Sequence, residues 1–237
     1  MATIATSPIR PPAERIPPLE NGDHLTRAEF ERRYDATPGL TKAELIEGIV
    51  YMAPPVSHVG HSKPHSYITT WLCTYHAATP GTSPGDNGSI RMDTENMPQP
   101  DAALFILPPF GKQAWVNQDD YVEGAPELII EVSSSSASFD LHRKRAAYLR
   151  NGVREYIVWR TFDKALDYFI LRGSEYVRHS PDDQGRYKSI IFPGLWLDSL
   201  NLLKGDLATV LKFVQEGIAS PEHAEFVAKL QSASESK

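Results

Sequence analysis

Two carboxylates stand where apolar strands do not ordinarily tolerate charge. Asp101 opens a strand-forming run after Gln99-Pro100, and Glu131 lies inside Leu128-Ile129-Ile130-Glu131-Val132. A charge in such a place needs a partner or a metal ion to offset the cost of leaving water. Two of them brought together could hold a hard divalent cation through oxygen. Taken singly, each has a plainer reading: Asp101 as a solvated strand end, Glu131 as half of a buried ion pair. A third residue bears on the choice. Leu141, Lys144 and Tyr148 recur at i, i+3 and i+7, so Lys144 shares one helix face with apolar side chains, whereas Arg143 and Arg150 do not. A lysine beside two carboxylates stays charged, orients a water and stabilises charge developing on an oxygen. The plainer reading is a cation snorkelling from a helix face.

Other reactive side chains are less informative. His58, His61 and His65 are spaced three and then four apart, but no cysteine or further histidine completes a zinc site. His61 beside the mouth of a carboxylate site is an alternative that spacing alone leaves open. The serines at 133–136 read as a turn, because no general base stands at an interpretable distance.

The elements that must position these groups come from pattern. Thr26 and Glu29 form a capping box for a helix running to about Tyr34. Ala43–Ile46 and Ile49–Met52 read as strands of a hairpin turned at Glu47-Gly48. Ile68, Trp71, Leu72 and Tyr75 mark the core face of a helix that Pro80-Gly81 ends, and a Gly/Asp-rich loop comes next at 85–88. Strands are expected at 89–92, 101–106 and 127–132, the last two apolar on both faces as covered central strands are. A helix capped by Ser138 or Asp140 should run to Arg150 and close at Asn151-Gly152. Strands at 155–159, 167–171 and 187–192 complete an α/β arrangement of a mixed central sheet flanked by helices, with an N-terminal helix and hairpin. The expected organisation is a flexible Pro-rich arm at 1–22, one domain at 23–215 and a loosely structured tail at 216–237.

Composition narrows the setting. The 237 residues are 41% hydrophobic, enough for a sizeable core, and no apolar run approaches the length of a membrane span. A lone Cys73 and an N-terminus interrupted by prolines point to a reducing, cytoplasmic location. The net charge of −6 argues against a broadly basic surface, yet cations cluster at His142-Arg143-Lys144-Arg145, Arg150 and Arg154.

Five ordered segments carry a resemblance. They are Glu44-Leu45-Ile46-Glu47-Gly48; a Pro-rich turn at 52–55 with a histidine soon after; Pro100-Asp101; Pro126-Glu127-Leu128-Ile129-Ile130-Glu131-Val132-Ser133-Ser134; and Asp140-Leu141 with Lys144, Tyr148 and Gly152-Val153-Arg154-Glu155-Tyr156. With Phe192-Pro193-Gly194-Leu195-Trp196-Leu197, the set resembles the Uma2 family of restriction-endonuclease-like proteins over residues 25–205. The resemblance implies a PD-(D/E)XK nuclease core, in which Pro100-Asp101 supplies the PD and Glu131 the acidic half of E-x-K. The expected lysine position holds Ser133; as in Uma2 members, Lys144 on the following helix inherits the role. Glu44 would be the additional N-terminal carboxylate, with Glu47 as the competing candidate.

The resemblance thus implies a Mg²⁺- or Mn²⁺-dependent endonuclease. Asp101, Glu131 and the carbonyl of Val132 would hold the metal, Glu44 would bind metal or water, and Lys144 would orient the nucleophile. DNA is the expected substrate, contacted through Arg143, Arg145 and Arg150, and a homodimer would let both strands be cut. The sequence also predicts carboxylates of Asp101 and Glu131 within about 6 Å, and a fold that survives Lys144→Met. Two rivals stand beside this reading: a catalytically inactive member of the fold used for binding or assembly, and a glycosidase using Asp101 and Glu131 as acid and base.

Overall fold

The computed structural model describes residues 15–235. The N-terminal half contains α1 (Arg27–Asp35), β1 (Ala43–Ile46), β2 (Ile49–Met52), α2 (Lys63–Ala77), β3 (Thr82–Asp86), β4 (Ile90–Arg91), β5 (Ala102–Ile106), β6 (Ala114–Val116) and β7 (Val122–Gly124). The remainder contains β8 (Leu128–Ser133), α3 (Ala137–Phe139), α4 (Arg145–Arg150), β9 (Glu155–Arg160), β10 (Ala165–Arg172), β11 (Glu175–Arg178), β12 (Arg186–Lys188), β13 (Trp196–Asp198), α5 (Ser199–Lys204), α6 (Leu207–Ile218) and α7 (Pro221–Glu235). A π-helical turn at His58–Ser62 leads into α2, and another at Asp140–Lys144 joins α3 to α4 as one continuous helical segment.

Six strands form the central sheet in the order β11-β10-β9-β8-β5-β3. The β8 and β9 pair is parallel and the other pairs are antiparallel, so the sheet is mixed. The runs at β5 and β8 are apolar on both sides because both sheet faces are covered. On one face Leu104, Leu128, Ile130 and Ile157 pack against Ile68, Trp71, Leu72 and Tyr75 of α2 and against Val210 and Val214 of α6. On the other, Ala103, Phe105, Ile129 and Val158 pack with Tyr148 of α4 and with Tyr156. Each fully buried side chain of this size contributes about 1.5–3 kcal/mol. A smaller cluster beside the sheet joins Phe30 of α1 to Leu45 and Val50 of the hairpin and to Met97. This is the expected mixed α/β core with its N-terminal helix and hairpin.

Local chemistry explains the element ends. Thr26 accepts the Glu29 amide at 3.4 Å, but the Glu29 carboxylate pairs with Arg32 and Arg33 instead of returning to the cap, so only half of the capping box forms. The hairpin turns through Glu47 and Gly48 at φ 55° and 73°, the left-handed pair that a two-residue turn demands.

Four expectations need correction. β3 takes in Gly85 and Asp86 of the stretch that reads as loop and carries Pro84 besides, yet it forms an edge strand, where a missing N–H costs no ladder bond. The strand expected at 187–192 stops at Lys188, because Ser189 and the Ile190 amide turn to donate to the buried Glu155 carboxylate at 2.6 and 2.7 Å. The tail from 216, expected as a loose helix or disordered, is a packed helix: α6 runs to Ile218 and α7 comes next, with His223 and Leu230 buried against the core. The arm expected at 1–22 lies outside the described residues up to 14. Its remainder is pinned, with Leu19 buried and the Gly22 amide donating to Val50 O at 2.8 Å. No helix among the described residues is long and apolar enough to cross a membrane.

Candidate functional site

Strand register brings the two carboxylates together. β5 and β8 pair with Ala102 opposite Ile130 and Ala103 opposite Ile129, so the next step along both chains sets Asp101 opposite Glu131. Alternation then turns both side chains to the sheet face that carries Tyr148 and Tyr156. The Asp101 amide lies 3.5 Å from Glu131 Oε2, and the Val132 amide donates to Asp101 Oδ2 at 2.7 Å. In a strand the N–H and C=O of one residue point to the same side, so the Val132 carbonyl is also directed beyond the end of β5, toward Asp101.

Lys144 reaches this face from the π-helical turn. Its Nζ lies 2.9 Å from Glu44 Oε2, 3.0 Å from Glu131 Oε1 and 3.9 Å from Asp140 Oδ1, with its side chain 5% exposed. Glu44 comes from the hairpin, where its other oxygen accepts the Gln99 amide at 2.8 Å. Tyr148, one helical turn beyond Lys144, donates its hydroxyl to Glu131 Oε1 at 2.7 Å. The expected set Glu44, Asp101, Glu131 and Lys144 is therefore convergent. Glu47 is elsewhere: its carboxylate pairs with Arg150 on the protein surface.

Asp140, His65 and Lys42 also contribute without being assigned to the site from the sequence, and His61 takes the place beside the carboxylates that its spacing left open. Asp140 is no helix cap; it lies buried inside the helical segment and accepts the Ser133 and Ser136 hydroxyls while facing Lys144. Its spacing of four residues before Lys144 is the one signal that could have found it. His61 Nε2 is 3.2 Å from Asp101 Oδ2, and His65 Nε2 is 2.7 Å from the Asp101 carbonyl and 3.0 Å from Asp86 Oδ1. His58 is exposed on the preceding turn. Lys42 Nζ lies 3.5 Å from Asp101 Oδ1 at the open edge of the cluster.

Charge is unbalanced here. Glu44, Asp101, Glu131 and Asp140 are all buried, and Lys144 is the buried cation they share. Burial, reinforced by Asp101, Asp140 and Glu44 and opposed by Lys144, pushes Glu131 up to about 8. Burial also works against the Asp101 charge, but the His61 hydrogen bond and the Lys42 and Lys144 charges outweigh it and hold Asp101 well below the usual range. Lys144 is desolvated as well, yet Glu131, Glu44, Asp140 and Asp101 keep it firmly protonated. The pair thus divides unequally, Asp101 ionised and Glu131 holding a proton near neutral pH.

Among the described residues no three His, Cys, Asp or Glu side chains form a ready metal cage. The donor set nonetheless fits a hard cation, since Mg²⁺ keeps most of its waters and takes one or two carboxylates together with substrate oxygens. Surplus buried carboxylate is the charge that such a cation would neutralise.

The three arginines expected to meet phosphates differ in their surroundings. Arg143 is exposed and pairs with no carboxylate among the described residues; Arg145 lies over the Phe169 ring at 5.1 Å, and Arg150 is held by Glu47.

Residues 27–202 match the Uma2 family model, whose description is "Putative restriction endonuclease". A similar solved structure is the crystal structure of "a putative nuclease belonging to DUF820" from Anabaena variabilis ATCC 29413. It is 16% identical, has a TM-score of 0.53, and aligns over 76% of this chain and 98% of that one. At such identity the likeness speaks for the fold alone. No curated protein matches. A family match across well over half of the 237 residues, on a mixed sheet of the same fold, makes this chain a member of the Uma2 family of restriction-endonuclease-like proteins.

Proposed function

We propose that this protein is a Mg²⁺- or Mn²⁺-dependent endonuclease that hydrolyses phosphodiester bonds of DNA. The observation that carries the reading is the register of β5 and β8, which sets Asp101 opposite Glu131 with the Val132 backbone directed to the same point. Asp101, Glu131 and the Val132 carbonyl would hold the cation. When bound, it would polarise the phosphoryl oxygen and lower the pKa of an attacking water.

The chain's own residues then have separate tasks. Asp101 is fixed by the Val132 amide and His61, leaving Oδ1 toward the open edge. Glu131 is fixed by Lys144 and Tyr148 through Oε1, leaving Oε2 toward Asp101. In hydrolysis the water oxygen bonds to phosphorus, the bond from phosphorus to the leaving oxygen breaks, the attacking water gives its proton to solvent, and the leaving oxygen takes a proton from solvent to end as a hydroxyl. Lys144 acts through Glu44 and Glu131, fixing their geometry from within the protein, and is thus a positioning residue for the water rather than a contact to substrate. Cutting both strands of a duplex is the reason to expect a homodimer.

One observation favours a second reading, a catalytically inactive member of the fold that binds or assembles. The lysine ammonium is fully engaged by carboxylates of its own chain. Incubating supercoiled plasmid with wild-type protein and Asp101→Asn, with Mn²⁺, with Mg²⁺ and with chelator, separates the two. Nicked or linear product from wild type with metal, absent for the variant, is the expected result. No product under any condition would leave the binding module as the better account.

A further inference from the structure

Lys42 stands one residue before β1 and two before Glu44, so both side chains leave the extended chain on the same side. Its Nζ is 3.0 Å from Asn87 Oδ1 and 3.5 Å from Asp101 Oδ1, and its side chain is 26% exposed against 5% for Lys144. The two lysines of the cluster are therefore different in kind. Lys144 cannot reach a substrate without abandoning Glu44 and Glu131. Lys42 can, because its contact with Asp101 is at the outer limit of hydrogen bonding and its flexible stem lies at the solvent edge.

The Asp101 carboxylate shows the same asymmetry. Oδ2 is taken by the Val132 amide at 2.7 Å and by His61 at 3.2 Å, whereas among the described residues Oδ1 has only the longer contact with Lys42 at 3.5 Å. A cation arriving at Asp101 would thus meet Lys42 first. The neighbouring carboxylate at this edge, Asp86, lies 3.0 Å from His65 Nε2.

We propose that Lys42 is a movable cation of the site, neutralising Asp101 Oδ1 until a divalent ion displaces it and then binding a phosphate oxygen of the substrate. The phosphate half rests on the endonuclease reading; the displacement half does not.

Calorimetry with Mn²⁺ alone tests displacement, using wild type, Lys42→Met and Lys42→Arg. Removing a competing charge at this partly exposed position should tighten Mn²⁺ binding by up to roughly tenfold in Lys42→Met, while Lys42→Arg stays near wild type. Unchanged Mn²⁺ affinity in Lys42→Met overturns the displacement, whatever the cleavage assay gives. Binding of a cleavage-resistant phosphorothioate duplex at saturating Mn²⁺ and plasmid cleavage with Mn²⁺ test the phosphate contact. Lys42→Met should bind duplex more weakly and cleave about 10²-fold more slowly, with Lys42→Arg recovering most of both. Tighter Mn²⁺ binding with undiminished duplex affinity and cleavage overturns the phosphate contact. A wild type that binds Mn²⁺ but never cleaves overturns the endonuclease reading, and the Mn²⁺ affinities still decide whether Lys42 is displaced.

Discussion

Lys144 Nζ and Glu131 Oε1 stand 3.0 Å apart in the protein interior, the helical segment after β8 folding back so that a lysine 13 residues downstream closes on the strand it has just left. The pair is not isolated, since Glu44 and Asp140 share the same ammonium. That sharing changes what substitutions here should do.

Lys144→Met should destabilise the fold, contrary to the expectation from the sequence that only chemistry would suffer. It leaves three buried carboxylates without their cation, and breaking such a pair costs about 3–5 kcal/mol. Urea unfolding at pH 8 should show a loss of that order, shrinking at pH 5, where the carboxylates can take up protons instead. A midpoint equal to wild type at pH 8 would mean that Lys144 does not balance the cluster.

Glu131→Gln should make the metal-free protein more stable at pH 8 while abolishing metal-dependent cleavage. Burial first, then the neighbouring carboxylates, raise Glu131 from 4.5 to about 8. With the folded pKa above the unfolded one, the folded state binds the extra proton across that window, and stability falls as pH rises through it. Glutamine removes the fall and keeps an oxygen for Lys144 and Tyr148. Thermal melts in chelator at pH 5 and pH 8 would reveal it as a smaller pH difference for the variant.

Arg143 and Arg150 should separate in their effect on DNA binding. Arg143 is exposed, whereas Arg150 is engaged by Glu47. Arg143→Ala should lower the slope of log K against log salt by about 1, and Arg150→Ala should change it little. Equal slopes for all three proteins would place the phosphate contacts elsewhere.

The last helix should come loose in acid. His223 of α7 is buried, with Nε2 2.9 Å from Thr79 Oγ1, and burial holds its pKa below 6.5. The unfolded state therefore binds more protons as pH falls through 6.5, so this group's contribution is present above that pH and is lost below it. Denaturant midpoints between pH 8 and pH 5.5 should drop for wild type and drop less for His223→Gln.

The sequence alone determined the central strands, because runs such as Leu128–Ser133 can be satisfied only by burial on both faces, and it determined the helix face of Leu141, Lys144 and Tyr148, because 3.6-residue periodicity is a local property. It also marked Asp101, Glu131 and Glu44, through charge out of place in apolar strands and through the ordered family motifs. What only tertiary structure decided is which groups meet. The approach of Lys42 and His61 to Asp101 spans 59 and 40 residues and depends on how the hairpin and the turn before α2 lie against the end of β5. Asp140 reads locally as a helix cap; its approach to Lys144 follows from i, i+4 spacing, but only the fold of the segment onto the sheet buries the pair against Ser133 and Glu131. The order in α7 has the same origin: its own pattern is weak, and the helix is held by Leu230 and His223 packing on a core assembled from distant strands and helices.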